Sequence, residues 1–324
     1  MRALASPASC KGALSAVEAA LALAAGMRAA GLDAEEAPVA DGGEGTAEVF
    51  AATLGGEWRL ASASDPLGRT VAARYLVLDD GTAVIEAAEA VGLARLADGE
   101  RDPTRTSSRG VGELLLAASA QASGPILVGL GDSATVDGGA GMLEVVGDAL
   151  ATRELRALCD VRNPLLGPRG AARAFGPQKG ASPGQVDELE ARLAGMAALR
   201  PYAGLPGAGA AGGLGAAIAS LGGELVSGAE LVLDRIGFRG LAAGADLVVT
   251  GEGTIDRSSG EGKAVGEVVR ICAEDGVRCA VFGGRVEEAL PGVETHALSG
   301  DPARAADDLV DLGSRLAGAL LGRA

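Results

Sequence analysis

Residues 125–141 read Pro-Ile-Leu-Val-Gly-Leu-Gly-Asp-Ser-Ala-Thr-Val-Asp-Gly-Gly-Ala-Gly. The apolar run at 125–128 leads into glycines and small hydroxyl residues, which predicts a buried strand ending in a loop with uncovered backbone N–H groups. Such a loop can bind an anion, but Asp132 and Asp137 would face a bound phosphate, so a divalent cation or a substrate hydroxyl should lie between them. The pattern indicates a phosphoryl-transfer centre, and it leaves open a glycine-rich turn with solvated acids.

Length and composition favour an α/β protein. At 324 residues the chain is long enough for one large domain or two ordinary ones, and we predict two. Hydrophobic residues make up 48% of the chain, aromatic residues only 2%, and there are 52 glycines. The core must therefore consist of alanine, valine and leucine, with many tight loops between the elements.

Charge and rare residue types argue against several function classes. The net charge of −15 would repel nucleic acid and an anionic membrane, so we expect neither as a partner. The single histidine, His296, argues against histidine-based hydrolase triads. The four cysteines lack Cys-x-x-Cys spacing, and the apolar run at 19–27 is too short to span a bilayer. We expect a cytoplasmic protein.

Two strand, loop and helix units follow each other near the N-terminus. The first places Lys11 just before a helix whose start carries a capping box formed by Ser15 and Glu18. A lysine there can bind an anion, although a solvated lysine is the alternative. The second unit places Asp41 and Glu44 in a glycine loop at the end of a strand, where they could bind a metal or a hydroxyl.

The same alternation returns near the C-terminus, and a different pattern separates the two ends. A strand at 245–250 leads to Glu252 and Asp256, and Lys263 opens the next helix. Residues 57–90 instead predict antiparallel strands joined by turns. We therefore predict a discontinuous α/β domain at 1–60 and 243–324, with a second α/β domain inserted at 61–242.

One glycine motif is misleading in isolation. Residues 207–212 match the Gly-x-Gly-x-x-Gly dinucleotide pattern, but no strand is predicted before them, which argues against a nicotinamide site. The chain also lacks the Gly-x-x-x-x-Gly-Lys-Ser/Thr motif of P-loop kinases. A bound nucleotide would have to be held in another way.

Several longer blocks resemble the bacterial glycerate kinase family of the two-domain, non-P-loop type. They run in order along the chain: Lys11-Gly12, 40–46 (ADGGEGT), 65–69 (DPLGR), 133–141 (SATVDGGAG), 163–167 (NPLLG), 175–181 (FGPQKGA), 206–215 (PGAGAAGGLG) and 250–253 (TGEG). The resemblance implies a discontinuous flavodoxin-like (Rossmann-like) domain with a second α/β domain inserted. It also implies phosphorylation of D-glycerate by ATP with Mg²⁺, giving 2-phosphoglycerate or 3-phosphoglycerate, in a monomer or homodimer.

Roles for individual residues follow from this resemblance and from the chemistry of phosphoryl transfer, which needs alignment and charge neutralisation. Asp137, Lys11 and Asp41 are expected to be catalytic, with Asp137 orienting or deprotonating the attacking hydroxyl. Asp41 and Glu252 are expected to hold Mg²⁺. Contacts with substrate or nucleotide are expected from Ser9, Glu44, Ser133, Thr135, Asn163, Gln178, Lys179, Glu252, Asp256 and Lys263.

The sequence departs from the family pattern within these motifs. Ala8 stands where the family has an aspartate, Cys10 replaces an aromatic residue, Val136 an asparagine, Asp132 a glycine and Ser258 a glutamine. A carboxylate lost at Ala8 would weaken transition-state stabilisation unless Asp132 compensates. Two alternatives therefore stay open, namely a catalytically weakened paralogue that acts as a binding or regulatory protein, and a kinase for another small hydroxy acid.

Overall fold

The computed structural model describes residues 1–260 and 262–322. Two compact units make up the chain: unit 1 is Met1–Asp41, Glu48–Thr53 and Ala229–Ala324, and unit 2 is Gly42–Ala47 and Leu54–Gly228. The strands are β1 (Arg2–Ala5), β2 (Asp33–Glu36), β3 (Glu57–Ser64), β4 (Thr70–Val77), β5 (Ala83–Glu86), β6 (Ile126–Gly129), β7 (Leu155–Leu158), β8 (Glu224–Val226), β9 (Leu247–Ile255), β10 (Cys279–Val286) and β11 (Glu294–Ala297). The α-helices are α1 (Ala16–Ala29), α2 (Thr46–Leu54), α3 (Ala87–Val91), α4 (Arg109–Gln121), α5 (Ala140–Val146), α6 (Ala171–Phe175), α7 (Pro183–Gly195), α8 (Leu214–Ser220), α9 (Gly228–Arg235), α10 (Phe238–Ala242), α11 (Ala264–Asp275) and α12 (Ala305–Leu320).

Unit 1 contains a parallel sheet in the order β11-β10-β9-β1-β2. Counted along this unit, the order read from β2 is 2-1-3-4-5, which is the order of flavodoxin-like sheets. Strand β2 lies on one side of β1, whereas β9 and the strands after it lie on the other side. The strand order therefore reverses between β1 and β9. In open α/β sheets the ligand crevice lies at the carboxyl ends of the strands at such a reversal.

Helices α1 and α12 of unit 1 approach each other closely through small residues. A Cβ atom at Gly26 would lie 2.0 Å from the carbonyl oxygen of Val310, and one at Gly313 would lie 2.4 Å from that of Leu23. Leu23 and Leu312 belong to the same buried apolar cluster beside this contact. The close approach shows how a core with few aromatic residues is filled, because the backbones themselves come into contact.

Unit 2 contains a mixed sheet in the order β3-β4-β5-β6-β7-β8. Strands β3, β4 and β5 are antiparallel neighbours, whereas β5 to β8 run parallel. All four residues of β6 are buried, as its apolar sequence predicts. The carboxyl ends of β5, β6 and β7 consequently lie side by side at one edge of the sheet.

The fold class predicted from the sequence is confirmed, since both units are α/β and unit 1 is discontinuous. The antiparallel strands between 57 and 90 and the capping box at Ser15 are also confirmed. No strand precedes residues 207–212 directly, because the described chain there forms the 3₁₀ helix Ala197–Tyr202. Strand β9 is longer than predicted and extends to Ile255, while the short strands β8 and β11 escaped prediction.

The domain boundaries at 60/61 and 242/243 stay a prediction. The compact units divide at other residues, because segment 42–47 belongs to unit 2 and 229–242 belong to unit 1. Among residues 1–260 and 262–322, none of the helices combines the length and the apolar character that crossing a bilayer requires.

Candidate active site

The first group of predicted site residues lies at the carboxyl edge of β1 and β9 in unit 1. After β1 the chain continues along β9, with hydrogen bonds of 2.8 Å from the Ser6 amide to Val249 and from the Ala8 amide to Gly251. This path carries Ser9 and Lys11 past the end of the strand. A Cβ atom at Gly253 would lie 3.4 Å from the backbone nitrogen of Lys11. The backbone of Lys11 is therefore placed beside β9, and its side chain is exposed.

Glu252 lies on β9 at the centre of this edge. Its Oε1 atom is buried and has no hydrogen-bond partner within the described residues. Burial raises the pKa of Glu252 above the usual value for glutamate, and the neighbouring carboxylates Asp41 and Asp256 raise it further, while Ser259 and Lys263 lower it. These effects on Glu252 mean that the charges of Asp41, Asp256 and Lys263 lie near its carboxyl group.

Asp256 and Lys263 are joined through one serine. The Asp256 carboxylate accepts hydrogen bonds from the Ser258 amide at 2.7 Å and from the Ser258 hydroxyl at 2.6 Å. Lys263 Nζ donates to the same hydroxyl at 2.8 Å, directly before α11 begins. The bond from Ser258 holds the pKa of Asp256 below its usual value. Ser258 thus links an anionic and a cationic side chain.

The second group lies in unit 2, where segment 42–47 crosses the carboxyl ends of β6 and β7. A Cβ atom at Gly42 would lie 2.6 Å from Cβ of Leu158, and one at Gly131 would lie 2.6 Å from Cα of Gly43. The glycines of this segment let its backbone lie directly on the strand ends. Glu44, in the middle of the segment, is exposed.

Asp137 lies in the loop between β6 and α5, and its carboxylate accepts several hydrogen bonds from the protein. Oδ2 accepts hydrogen bonds from the Ser108 amide and the Ser108 hydroxyl, both at 2.8 Å, and from the Gly141 amide at 3.2 Å. Oδ1 accepts from the Gly139 amide at 3.1 Å. Because Asp137 is buried and its carboxylate already accepts four hydrogen bonds, these contacts favour a positioning role over that of a base, which stays a prediction.

Lys179 is buried against the same loop. Its Nζ donates to Ser133 Oγ at 3.0 Å and to the carbonyl oxygen of Thr135 at 2.8 Å. Burial lowers the pKa of Lys179 to about 7, against the opposing charges of Asp137 and Asp132. Lys179, Ser133 and Thr135 therefore lie together, and in this structure the lysine binds the loop itself; their contacts with substrate or nucleotide stay a prediction.

The glycine-rich segment at 207–215 packs against this loop. A Cβ atom at Gly212 would lie 1.9 Å from the carbonyl oxygen of Thr135, and the Gly138 amide donates to the carbonyl of Gly212 at 3.0 Å. Both Gly212 and Gly213 have positive φ angles. The glycines are required by this close backbone contact, which explains the dinucleotide-like pattern without a dinucleotide.

Of the remaining residues, Asn163 contacts the glycine-rich segment, because the Gly209 amide donates to its carbonyl oxygen at 2.9 Å. The Asn163 side chain donates to the carbonyl of Arg169 at 2.7 Å, and Gln178 is exposed. Asp132 is exposed with φ of 52°, and Val136 is completely buried in the core of unit 2. The binding and catalytic roles assigned from the sequence stay predictions for every one of these residues.

Two residues in unit 2 were missed by sequence reasoning. Ser108 binds Asp137, and Glu86 accepts hydrogen bonds from segment 42–47. The signal for Glu86 was present in the sequence, because a charged residue ends the apolar strand β5. Ser108 had no comparable signal, since its partner lies 29 residues away.

A bound Mg²⁺ is compatible with the residues of unit 1. The described part of the chain contains no group of three or more His, Cys, Asp or Glu side chains that could hold a metal ion. Mg²⁺ does not need one, because it is usually bound by one or two carboxylates together with water and substrate phosphates. Glu252, whose Oε1 has no partner among the described residues, and the nearby Asp41 would form such a pair.

Comparison with known proteins identifies the family of this chain. The model of the glycerate kinase family matches residues 3–153 and 146–300. A protein of Escherichia coli (strain K12) named glycerate 2-kinase is 41% identical over 303 residues, which cover 81% of this chain and 80% of that protein. Glycerate kinase of Halalkalibacterium halodurans is 38% identical over 299 residues, covering 81% and 79%. A crystal structure of a protein assigned as glycerate kinase 2 from Salmonella typhimurium LT2 matches with a TM-score of 0.87 at 32% identity, covering 99% of this chain and 98% of that one. The chain belongs to the glycerate kinase family.

Proposed function

We propose that this protein transfers a phosphoryl group from ATP to D-glycerate and releases 2-phosphoglycerate. Support comes from the relatives, one of which is named glycerate 2-kinase and shares 41% of its residues with this chain over most of its length. The name of that relative favours the 2-hydroxyl over the 3-hydroxyl as the acceptor.

The observation that carries the proposal is the buried, unpartnered Oε1 of Glu252 at the edge of β1 and β9. A buried carboxylate oxygen without a donor is unfavourable in a folded protein, so it is a good place for a ligand. Glu252 and Asp41 would hold Mg²⁺. When bound, the ion would neutralise negative charge on the nucleotide phosphates.

Cationic side chains of unit 1 supply the remaining charge. Lys263 stands at the start of α11, where backbone N–H groups and the helix dipole also favour an anion. Lys11 lies beside β9 with its side chain exposed, so it could contact a phosphate or the glycerate carboxylate. Asp41 is the better candidate for orienting the attacking hydroxyl, because the carboxylate of Asp137 already accepts four hydrogen bonds from the protein.

An enzyme assay tests the proposal directly. The purified protein is given D-glycerate, ATP and Mg²⁺, and release of ADP is measured with the Lys11→Ala variant as background. Added enolase consumes 2-phosphoglycerate at once but consumes 3-phosphoglycerate only when a phosphoglycerate mutase is also present, so the two products are distinguished. Activity of the unmodified protein no higher than that of the variant would reject the proposal.

A second candidate function, a weakened paralogue that binds without turnover, is favoured by the surroundings of Ala8. This residue packs against an apolar cluster that includes Ile255 and Val265, at the position where the family has a carboxylate. Calorimetry that detects nucleotide or glycerate binding without turnover would favour it. If the Ala8→Asp variant phosphorylates D-glycerate and the unmodified protein does not, the unmodified protein has an intact binding site and lacks only a catalytic group.

We further propose a cytoplasmic location and a monomeric or homodimeric state, with no nucleic acid or membrane as partner. The formal net charge of −15 supports the last two points.

A further inference from the structure

Glu86 is a buried carboxylate at the carboxyl end of β5, with only 5% of its surface exposed. A carboxylate in such a place needs hydrogen-bond donors. Its donors are the backbone amides of Ala47, at 2.8 Å, and Gly45, at 3.3 Å. Both belong to segment 42–47, about forty residues earlier in the chain, so one side chain ties a distant loop to the end of a central strand.

Glycine contacts alone fix this segment only partly. Gly42 lies against Leu158, and a Cβ atom at Gly129 would lie 2.7 Å from the carbonyl oxygen of Gly42. Contacts of this kind set how closely the backbone approaches the strand ends. The two hydrogen bonds to Glu86 add direction, because each amide must point at one carboxylate oxygen.

The position of Glu44 depends on this anchor. Glu44 directly precedes Gly45, whose amide is bound by Glu86, and its own side chain is exposed. Gly45 has a φ angle of 90°, which a residue with a side chain rarely adopts. The direction of the Glu44 side chain is therefore set by the turn at Gly45, whose amide donates to the carboxylate of Glu86.

We propose that Glu86 is a positioning residue that anchors segment 42–47 through the amides of Gly45 and Ala47 and thereby sets where Glu44 presents its carboxylate to the substrate. The part concerning substrate rests on the proposed function, whereas the anchoring does not. Glu86 itself is not expected to touch the reacting atoms.

The test compares Glu86→Gln and Glu86→Ala with Glu89→Gln as a matched control. Glu89 lies on α3 close to Glu86 but pairs with Arg74 and Arg95 instead of the loop. Glutamine keeps one acceptor oxygen and loses the other, and alanine loses both. Hydrogen exchange of the peptide that covers 42–47 reports the anchor, and kcat and KM for D-glycerate report its consequence.

We expect faster exchange in that peptide for both Glu86 variants, in the order alanine above glutamine. We also expect a higher KM and a kcat/KM lowered by about tenfold to a hundredfold, because a displaced contact weakens alignment. The Glu89→Gln variant should behave as the unmodified protein does. If the alanine variant does not fold, the glutamine variant still decides whether Glu86 anchors segment 42–47.

Two results would overturn the proposal. One is unchanged exchange at 42–47 in the Glu86 variants, and the other is an unchanged KM with only a smaller fraction of active enzyme. If the unmodified protein does not phosphorylate D-glycerate, the proposed function fails instead, and hydrogen exchange alone still decides whether Glu86 anchors the segment.

Discussion

The edge of β1 and β9 in unit 1 and the loop after β6 in unit 2 have the same residue types, namely glycine, acids and lysine, but they use them differently. In unit 1 a buried oxygen of Glu252 has no donor among the described residues. In unit 2 Asp137 accepts four hydrogen bonds and Lys179 makes two. A polar group that is already satisfied holds the fold, whereas an unsatisfied one is available to a ligand. The comparison separates the roles of the charged groups where composition cannot; among uncharged groups, the buried Thr135 hydroxyl in the unit 2 loop also has no partner within the described residues.

The largest effect should come from Glu252→Gln, which removes charge from the unit 1 edge. We expect kcat/KM for D-glycerate to fall by about a hundredfold or more, because a group that stabilises the transition state is lost. Stability should not fall, since burial raises the pKa of Glu252 and ionisation therefore opposes folding. Steady-state kinetics and urea unfolding measure the two quantities.

The control for this variant is Glu294→Gln, on β11, which loses an ion pair with Arg278. Its activity should be unchanged. A Glu252→Gln protein that is strongly destabilised yet fully active would reverse the roles assigned to the two regions.

In unit 2 the variant Asp137→Ala should act mainly on stability. We expect the free energy of unfolding to fall by about 3 kcal/mol, because buried donors at Ser108 and Gly139 lose their acceptor. Asp137→Asn, which keeps one acceptor oxygen, should lose less. Urea unfolding followed by circular dichroism checks this order.

The contrary result is equally informative. If Asp137→Ala keeps its stability and loses only kcat, Asp137 is the base expected from the sequence, and the four hydrogen bonds are secondary.

Lys179→Met sharpens the comparison through pH. Burial lowers the pKa of Lys179 to about 7, whereas an unfolded lysine has a pKa of about 10.4. Between these values the unfolded chain binds more protons, so the stability of the unmodified protein should rise with pH relative to the variant, by up to about 1.4 kcal/mol per pH unit. Urea unfolding of both proteins from pH 7.5 to 9 measures the difference. The prediction is contradicted if the free energy of unfolding changes equally with pH in the two proteins.

The smallest effect is expected from Ala211→Gly, in the segment that packs against the unit 2 loop. Ala211 has φ of 50°, a left-handed conformation that glycine adopts more readily. We expect a gain of about 0.5–1 kcal/mol in the free energy of unfolding, without change in KM. Thermal unfolding detects it, and a loss of stability would show that the Ala211 methyl group contributes more by packing.

Local sequence patterns predicted the local parts of the fold. The capping box at Ser15 and the buried strand β6 depend on residues a few positions apart, and both are present as expected. The contact between Ser108 and Asp137 depends on how α4 lies against the loop, which no short pattern encodes. For the same reason the motif of Asp137 predicted a catalytic carboxylate without revealing the four hydrogen bonds that it accepts from the protein. Short strands such as β8, with three residues, carry too little periodicity to be recognised.

The contact between α1 and α12 has a consequence for synthesis on the ribosome. Gly26 lies against Val310, so the core of unit 1 joins two segments between which the whole of unit 2 is translated. All of unit 2 has been translated before α12 exists. Because chains are synthesised from the N-terminus, unit 2 can complete its core before α12 is available to cover its face of α1. During that interval the face of α1 that α12 later covers is exposed, and exposed apolar surface on a nascent chain favours aggregation.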